Sequence, residues 1–176
     1  MTSTKKPLGN VKVLDLTHML SGPYGGMILA DLGCEVIKIE PPIKGEGTRR
    51  LLENDPNYSV NGMGAYFYTL NRNKKSVAID LKKDEGLQIF YRLAEKADVV
   101  LSNFSAGVTK KLKIDFDTLK KINPKLLLVQ SVVLVNQVQI FNVQHLIKLL
   151  RLLVGVCQSQ VYQLKNLCEQ VFLLEI

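Results

Sequence analysis

The sequence predicts an α/β fold with a parallel, doubly wound sheet, and three observations indicate this class. Short apolar runs that suit buried strands alternate with segments of helical periodicity between residues 11 and 132. Clusters of Gly, Pro, Asn and Asp separate these runs, as turns require. An apolar fraction of 47% in a chain of 176 residues is sufficient for one buried core.

The first part of the alternation predicts a strand, a helix and a second strand. The apolar run VKVLDL at residues 11–16 suits a buried parallel strand, and MILADLG at 27–33 fills a helix that a glycine ends. EVIKIE at 35–40 predicts the second strand, which two prolines stop because proline lacks the N–H that a sheet needs. The stretch 43–63 holds several Gly and Asn residues and is expected to be a long loop of the kind used for binding.

The second part repeats this pattern of strand, helix and strand. SVAIDL at residues 76–81 predicts a third strand, residues 84–96 carry apolar side chains at helical spacing, and DVVLSN at 98–103 predicts a fourth strand. The remaining expected elements are helices around residues 108–112 and 116–122, and a strand, KLLLVQSV, that ends at Val132. Strands that alternate with helices in this way form a parallel sheet.

The charge pattern does not favour a nucleic-acid partner. The net charge is +7, but aromatic residues make up only 7% of the chain, there is no Trp, and the lysines are spread from Lys5 to Lys165. We therefore expect a solvated basic surface without a nucleic-acid interface. A basic surface also suits a ligand that carries phosphate groups.

Cysteine usage and hydropathy indicate a cytoplasmic protein without a structural metal. Cys34, Cys157 and Cys168 form an odd set without CxxC spacing, so we expect neither a disulfide framework nor a zinc site, and we expect a reducing compartment. The segment MTSTKKPLGN has no apolar run of the signal-peptide type, and later apolar runs are interrupted before they reach the roughly 18 residues of a membrane helix. Secretion and membrane insertion are not expected.

Three segments carry side chains that could bind a ligand. The run SGPYGG at residues 21–26 could bind an anion through free backbone N–H groups at a helix start, although a plain strand-to-helix turn needs the same residues. His18 precedes this run and is either a base or a hydrogen-bonded structural residue. Residues 71–75, NRNKK, could receive phosphate groups or form a solvated turn. Asn103 and Phe104 follow a strand, at the edge where open α/β sheets bind ligands.

Four segments stand in an order and spacing that resemble one known family. They are VLDLTHMLSGPYGGMILADLGCEVIKIEPP, then GEGTRR, then AYFYTLNRNKKSVAIDLKKDEGLQIFYRLAEKADVVLSNFSAGV, and finally INPKLLLVQSV. These segments are similar to those of the family III CoA-transferases, the group of formyl-CoA transferase and carnitine CoA-transferase. The resemblance covers nearly all of residues 7–132 and is specific because four motifs agree in order.

The resemblance implies a Rossmann-like CoA-binding domain at residues 7–132 within an interlocked homodimer. Such an enzyme moves CoA between carboxylic acids through acyl-aspartyl and glutamyl-thioester intermediates, so its expected substrates are an acyl-CoA and a carboxylic acid, without a metal. Two alternatives stay open. Acyl-CoA racemases share these motifs, and a non-catalytic CoA-binding or interaction module would need no nucleophile.

The resemblance also implies which residues contact CoA. They are Met19, Leu20 and Ser21 after the first strand, Ile79 and Lys82 at the adenine and phosphates, Asn103 and Phe104 at pantetheine, and Lys111 in place of an arginine. Leu20 stands where formyl-CoA transferases have an amide, which argues against formyl and oxalyl substrates. Pro41 replaces an arginine that contacts CoA in some members, and Lys111 lacks the bidentate geometry of arginine.

The composition changes after Val132. Residues 133–176 contain no Pro and no Asp, and their only charged residues are Lys148, Arg151, Lys165, Glu169 and Glu175. Taken literally, Leu146, Leu149, Leu150 and Leu153 could form an amphipathic packing helix. The tail would then be a docking helix of an interaction module.

A shifted reading frame explains the tail better. The family's nucleophilic aspartate lies in motifs like GFGQxGP and RPAFD, which are absent here. Codons read from the last base of each residue to the first two of the next permit GFGQ at residues 133–136, S or P, G and P at 137–139, and QRPAFD at 142–147. We therefore expect a one-base shift near Val132, with the aspartate at the place of Ile147. The chain would then be an inactive fragment whose out-of-frame tail forms no domain.

Overall fold

The computed structural model describes residues 6–105 and 107–130. The predicted tail at 133–176, with the place of Ile147, lies outside the described residues. The elements in chain order are β1 (Lys12–Asp15), α1 (Ser21–Asp31), β2 (Glu35–Glu40), a 3-10 turn (Gly47–Arg49), β3 (Ser59–Val60), β4 (Met63–Gly64), α2 (Ala65–Asn71), β5 (Lys74–Ala78), α3 (Asp84–Ala94), β6 (Val99–Ser102), α4 (Val108–Lys111), α5 (Phe116–Ile122) and β7 (Leu127–Gln130).

Five strands form one parallel sheet in the order β5-β2-β1-β6-β7. β1 lies at the centre, where it pairs with β2 on one side and with β6 on the other. All four residues of β6 are buried, as expected of a strand that is covered on both faces. The predicted α/β class with a Rossmann-like parallel sheet and flanking helices is therefore confirmed.

The core on one side of the sheet is formed by α3 and α5. Phe90 and Leu119 are buried there against the sheet residues Leu14 and Val100. α3 presents Leu87, Phe90 and Ala94 to this core and keeps its charged residues in solvent, which is the amphipathic pattern that the sequence predicts.

Helix α1 begins six residues earlier than the sequence indicates. The segment SGPYGG is its first part and not a turn before it. Pro23 is tolerated in the first turn because the N–H groups there have no partner within the helix. A Cβ atom at Gly22 would lie 2.4 Å from the Thr17 Cβ, and one at Gly26 would lie 2.6 Å from Oδ2 of Asp15. Both glycines let α1 approach the end of β1.

The stretch 43–63 contains more regular secondary structure than the predicted long loop. It contains the 3-10 turn and the strands β3 and β4, which pair antiparallel, and helix α2 follows directly. β5 begins at Lys74, two residues before the predicted strand, and ends at Ala78. Within the part of the chain that the structure describes, no helix is long and apolar enough to cross a membrane.

Candidate functional site

The sheet has its switch point between β1 and β6. The chain continues from β1 to one side of the sheet, and β6 lies on the other side. Open α/β sheets bind ligands in the crevice outside the carboxyl ends of such neighbouring strands. His18 lies shortly after the end of β1, and Asn103 follows the end of β6 directly. The pair therefore lies where a ligand is expected.

Asn103 fixes the backbone of His18 with both polar atoms of its amide. Its Oδ1 accepts from the His18 N–H at 2.9 Å, and its Nδ2 donates to the His18 carbonyl at 2.7 Å. The His18 ring lies 5.5 Å from the Phe104 ring, centroid to centroid. The two strand ends are thus joined by a reciprocal pair of hydrogen bonds and by an aromatic contact. Whether His18 also acts as a base, the other alternative for this residue, is not tested by these contacts.

A cavity of about 480 Å³ opens beside this junction. Its apolar lining includes Leu16, Ile39, Ile79, Leu81, Phe104 and Leu112. Its polar lining includes Thr17, His18, Glu40, Glu46, Asp80 and Lys82. This size and this largely apolar lining with a few polar groups are typical of small-molecule sites.

Three of the predicted contact residues line the cavity, namely Ile79, Lys82 and Phe104. Ile79 is buried, whereas Lys82 is exposed. The main-chain N–H of Lys82 donates to Oδ1 of Asp80 at 3.0 Å, which holds the segment after β5 in a tight turn. The Lys82 ammonium group is therefore exposed to solvent next to the apolar lining of the cavity.

The other predicted contact residues lie around the cavity. Met19 and Leu20 follow His18 and are each 55% exposed, and Ser21 begins α1. Lys111 is exposed at the end of α4, next to the lining residue Leu112. Asn103 acts on the His18 backbone as described above. Contact of these residues with CoA stays a prediction.

Residues 71–75 do not form a free basic turn. Nζ of Lys74 lies 2.8 Å from Oδ2 of Asp15, and the side chains are only 1% and 0% exposed. Arg72 and Asn73 both bind the carboxylate of Asp31. The expectation of a phosphate-binding or solvated turn is therefore wrong for Lys74, because its ammonium group pairs with a buried carboxylate that is distant in the sequence.

Sequence reasoning assigned no role to Glu40, although it lies in the cavity wall. Arg49 donates to its carboxylate through Nε and Nη2, both at 2.6 Å, and Ser76 Oγ donates at 2.6 Å. Burial alone would raise the pKa of Glu40, but the bonds from Arg49, Ser76 and the Glu46 N–H outweigh it and lower the pKa to about 2. The guanidinium of Arg49 also lies over the Phe67 ring at 3.8 Å.

The signal that could have found this arrangement is the motif GEGTRR, which places two arginines after a strand that ends in a glutamate. Glu46 belongs to the same motif. Its carboxylate accepts from the Met19 N–H at 2.9 Å. Sequence spacing could not show this contact, because the two residues are 27 positions apart.

No metal site is found among the described residues, where no group of three His, Cys, Asp or Glu side chains could hold an ion. Cys34 is buried, and burial raises the pKa of its thiol to about 11. This thiol therefore stays protonated and has little nucleophilic character at neutral pH.

An open parallel sheet with an apolar cavity beside its switch point and a lysine at the rim is the arrangement in which α/β proteins bind ligands. Residues 8–132 match the family described as CoA-transferase family III. The chain belongs to that family.

Curated relatives include the acetyl-CoA:oxalate CoA-transferase of Acetobacter aceti, which is 41% identical over 72% of this chain and 31% of the relative. The succinate–glutarate CoA-transferase of Agrobacterium fabrum is 37% identical over 72% of this chain and 32% of the relative. The chain thus spans about a third of the length of these curated relatives.

Solved structures show the same fold. A CAIB/BAIF family protein from Brucella suis has a TM-score of 0.66 and 39% identity, covering 72% of this chain and 33% of that chain. A hypothetical protein from Mycobacterium tuberculosis has a TM-score of 0.67 and 38% identity, covering 77% of this chain and 36% of that chain.

Proposed function

We propose that residues 7–132 are the CoA-binding part of a family III CoA-transferase, an enzyme that moves CoA between carboxylic acids. The observation that carries this proposal is the cavity at the switch point, which brings Ile79, Lys82 and Phe104 together beside the turn after β1. The similarity to an acetyl-CoA:oxalate CoA-transferase and to a succinate–glutarate CoA-transferase supports the reaction class.

The cavity favours the adenine of CoA over its phosphates. Its lining is largely apolar, and its carboxylates are already engaged, since Glu40 binds Arg49 and Glu46 binds main-chain donors. A flat neutral base loses little on entering such a space, whereas a phosphate would meet carboxylates there. The phosphates then lie at the rim, where Lys82 is exposed and can pair with them.

The remaining contacts arrange the thiol end of CoA. Pantetheine runs past Asn103 and Phe104, and the thioester lies near Met19, Leu20 and Ser21 at the start of α1. The first N–H groups of α1 have no side-chain cap, so they can donate to a carbonyl or carboxylate oxygen of the acyl group. This assignment follows the family pattern and is supported by the position of these residues at the strand ends.

Transfer requires a carboxylate nucleophile. The carboxylate attacks the thioester carbonyl and releases CoA as a thiolate, and the resulting mixed anhydride divides one difficult exchange into easier steps. We propose that the gene encodes this aspartate in the other frame, at the place of Ile147. The 176-residue chain then binds CoA without transferring it. The homodimer and the cytoplasmic location implied by the sequence stay predictions.

Two measurements test this proposal. Sequencing of the coding DNA around Val132 should reveal a frame that encodes GFGQ followed by RPAFD. Calorimetric titration of the 176-residue chain with CoA should show saturable binding that weakens at higher salt, because the phosphates are held at an exposed cation. A coding sequence without these motifs would remove the shifted frame, and absence of CoA binding would remove the ligand.

A further inference from the structure

Glu46 is a buried carboxylate that the proposed chemistry does not use. It lies in the loop after β2, lines the cavity and is only 5% exposed. We propose that Glu46 is a positioning residue that sets the turn after β1 for the thioester end of CoA. This inference rests on the proposed function for its ligand, but its geometric part stands by itself.

The carboxylate of Glu46 connects two segments of the chain. Oε1 accepts from the Met19 N–H at 2.9 Å, and Oε2 accepts from the Thr48 N–H at 3.2 Å and from the Thr48 hydroxyl. Two of these three donors are main-chain N–H groups, those of Met19 and Thr48, so Glu46 fixes backbone positions. A buried carboxylate is stabilised by several such bonds.

The turn that Glu46 holds has an unfavourable backbone conformation. Met19 has φ +70°, in the left-handed region that residues with a Cβ rarely adopt. Such a conformation persists when neighbouring groups determine it. The bond from the Met19 N–H to Glu46 is one of these constraints. By fixing this turn, the bond sets the position of the half-exposed Met19 and Leu20, which are assigned to the thioester end of CoA.

Side chains from three different places hold three successive residues of this turn. Lys38 of β2 donates to the carbonyl of residue 17 at 2.7 Å, Asn103 after β6 binds both backbone groups of residue 18, and Glu46 binds the N–H of residue 19. Lys38 and Asn103 come from the sheet or its edge. Glu46 is the constraint that comes from the loop, so it transmits the position of the loop to the turn.

The loop itself is anchored on Glu40. The Glu46 N–H donates to Oε2 of Glu40 at 2.8 Å, and Arg49 holds the same carboxylate from the other side. Gly45 has φ +63°, and a Cβ atom there would lie 2.5 Å from Cδ of Arg49. Glycine is therefore required for this close approach. The anchored loop gives Glu46 a fixed position from which to hold Met19.

The two ends of CoA should respond differently to a change at Glu46. The adenine end is assigned to Ile79 and Lys82, which lie after β5 and are not bonded to Glu46. The thioester end is assigned to residues 19–21, which depend on it. Glu46 also lines the cavity assigned to adenine, but it holds only the turn at the thioester end. Loss of the Glu46 carboxylate should therefore weaken binding of whole CoA much more than binding of adenosine 3′,5′-bisphosphate.

The test compares Glu46→Gln with Glu95→Gln in the full 176-residue chain. Glutamine keeps the size of the side chain but places an NH₂ group against one of the two sets of donors. Glu95 is exposed after α3, near the start of β6 and away from the cavity, so it is a matched control for the chemical change. Hydrogen exchange of the Met19 amide and calorimetry with both ligands are measured for each variant.

In Glu46→Gln, we expect the Met19 amide to exchange about tenfold faster while the amides of β1 and β6 keep their protection, as expected for loss of about one hydrogen bond. The dissociation constant for CoA should rise about tenfold, and that for adenosine 3′,5′-bisphosphate should change by less than about threefold. Glu95→Gln should change none of these quantities.

Two results would overturn the inference, and a third would overturn its ligand part. Unchanged Met19 exchange would show that Glu46 does not hold the turn. Equal weakening of both ligands, with loss of protection throughout the sheet, would show a general structural role. Failure of the unaltered chain to bind CoA would remove the proposed function and the ligand part of this inference, while Met19 exchange would still decide whether Glu46 fixes the turn.

Discussion

Nζ of Lys74 lies 2.8 Å from Oδ2 of Asp15, and both side chains are buried. Lys74 also donates to the Pro23 carbonyl at 2.7 Å and to Oδ1 of Asn71 at 2.9 Å, so all three of its N–H bonds have acceptors. Burial lowers the pKa of Lys74, and Asp15 opposes this effect. The lysine thus joins β1, α1 and α2.

Breaking this pair should destabilise the fold. Lys74→Met leaves the Asp15 carboxylate buried without its cation, and we expect the free energy of unfolding to fall by about 3 kcal/mol or more. Urea unfolding followed by circular dichroism measures the change. The control is Lys75→Met, because Lys75 pairs with Glu35 at the surface and such pairs contribute about 1 kcal/mol or less. Equal effects in both variants would contradict the importance of the buried pair.

Glu40 predicts a specific dependence of stability on pH. Its pKa in the folded state, about 2, is below the ordinary value of 4.5, so folding favours the ionised carboxylate. Its contribution to stability is complete above pH 4.5 and is lost as the pH falls towards 2. Glu40→Gln should remove about 3 kcal/mol at pH 7 and flatten the acid limb in this window.

Chemical unfolding between pH 2 and 7 checks this prediction. Glu35→Gln is the control, because Lys75 lowers the pKa of Glu35 at an exposed site where salt screens the interaction. An acid limb that is as steep in Glu40→Gln as in the unaltered chain would show that other groups cause the dependence.

Lys82 tests the ligand assignment. Lys82→Ala should weaken CoA binding by about 1–3 kcal/mol, because a charge-assisted bond to a phosphate is lost. The loss should shrink at high salt. Calorimetry of the frame-restored protein measures it, with Lys75→Ala, in the same β5 region but paired with Glu35, as the control. Equal CoA affinity in Lys82→Ala and the unaltered protein would remove this phosphate contact.

Asn103 tests the junction of the two strand ends. Asn103→Ala removes both bonds to the His18 backbone together with the predicted pantetheine contact, so CoA affinity should fall by about 1–3 kcal/mol. Asn73→Ala, which removes an exposed amide bonded to Asp31, should leave CoA affinity unchanged. If both variants bind CoA as tightly as the unaltered protein, the assignment of this strand end to the ligand is wrong.

The shifted frame predicts where activity is lost and regained. The 176-residue chain should not exchange CoA between any carboxylate and acyl-CoA, because the proposed frame shift removes the nucleophilic aspartate from it. Restoring the frame near Val133 should place an aspartate at the position of Ile147, and hydroxylamine should trap its acyl adduct. Thioester exchange measured for both proteins decides the matter. Transfer by the uncorrected chain would refute both the frame and the mechanism.

Local pattern determined most of the sheet and helices. EVIKIE is β2 with the predicted ends, because a short apolar run favours a strand and the two prolines after it cannot donate to the sheet. Residues 116–122 form α5, also as predicted. The motifs of residues 7–132 also determined the family, since their order depends on the sequence alone. Local pattern failed at α1, where SGPYGG has the composition of a turn.

Tertiary structure decided the roles of individual charges. Gly22 and Gly26 let the start of α1 lie against the end of β1, where a Cβ atom would have no space. Lys74 is buried because folding brings Asp15, 59 residues earlier, into contact with it. Glu46 holds Met19 because the loop after β2 returns to β1. Charged residues have the same appearance in a sequence whether they are solvated or buried, and only a partner distant in the chain makes their burial favourable.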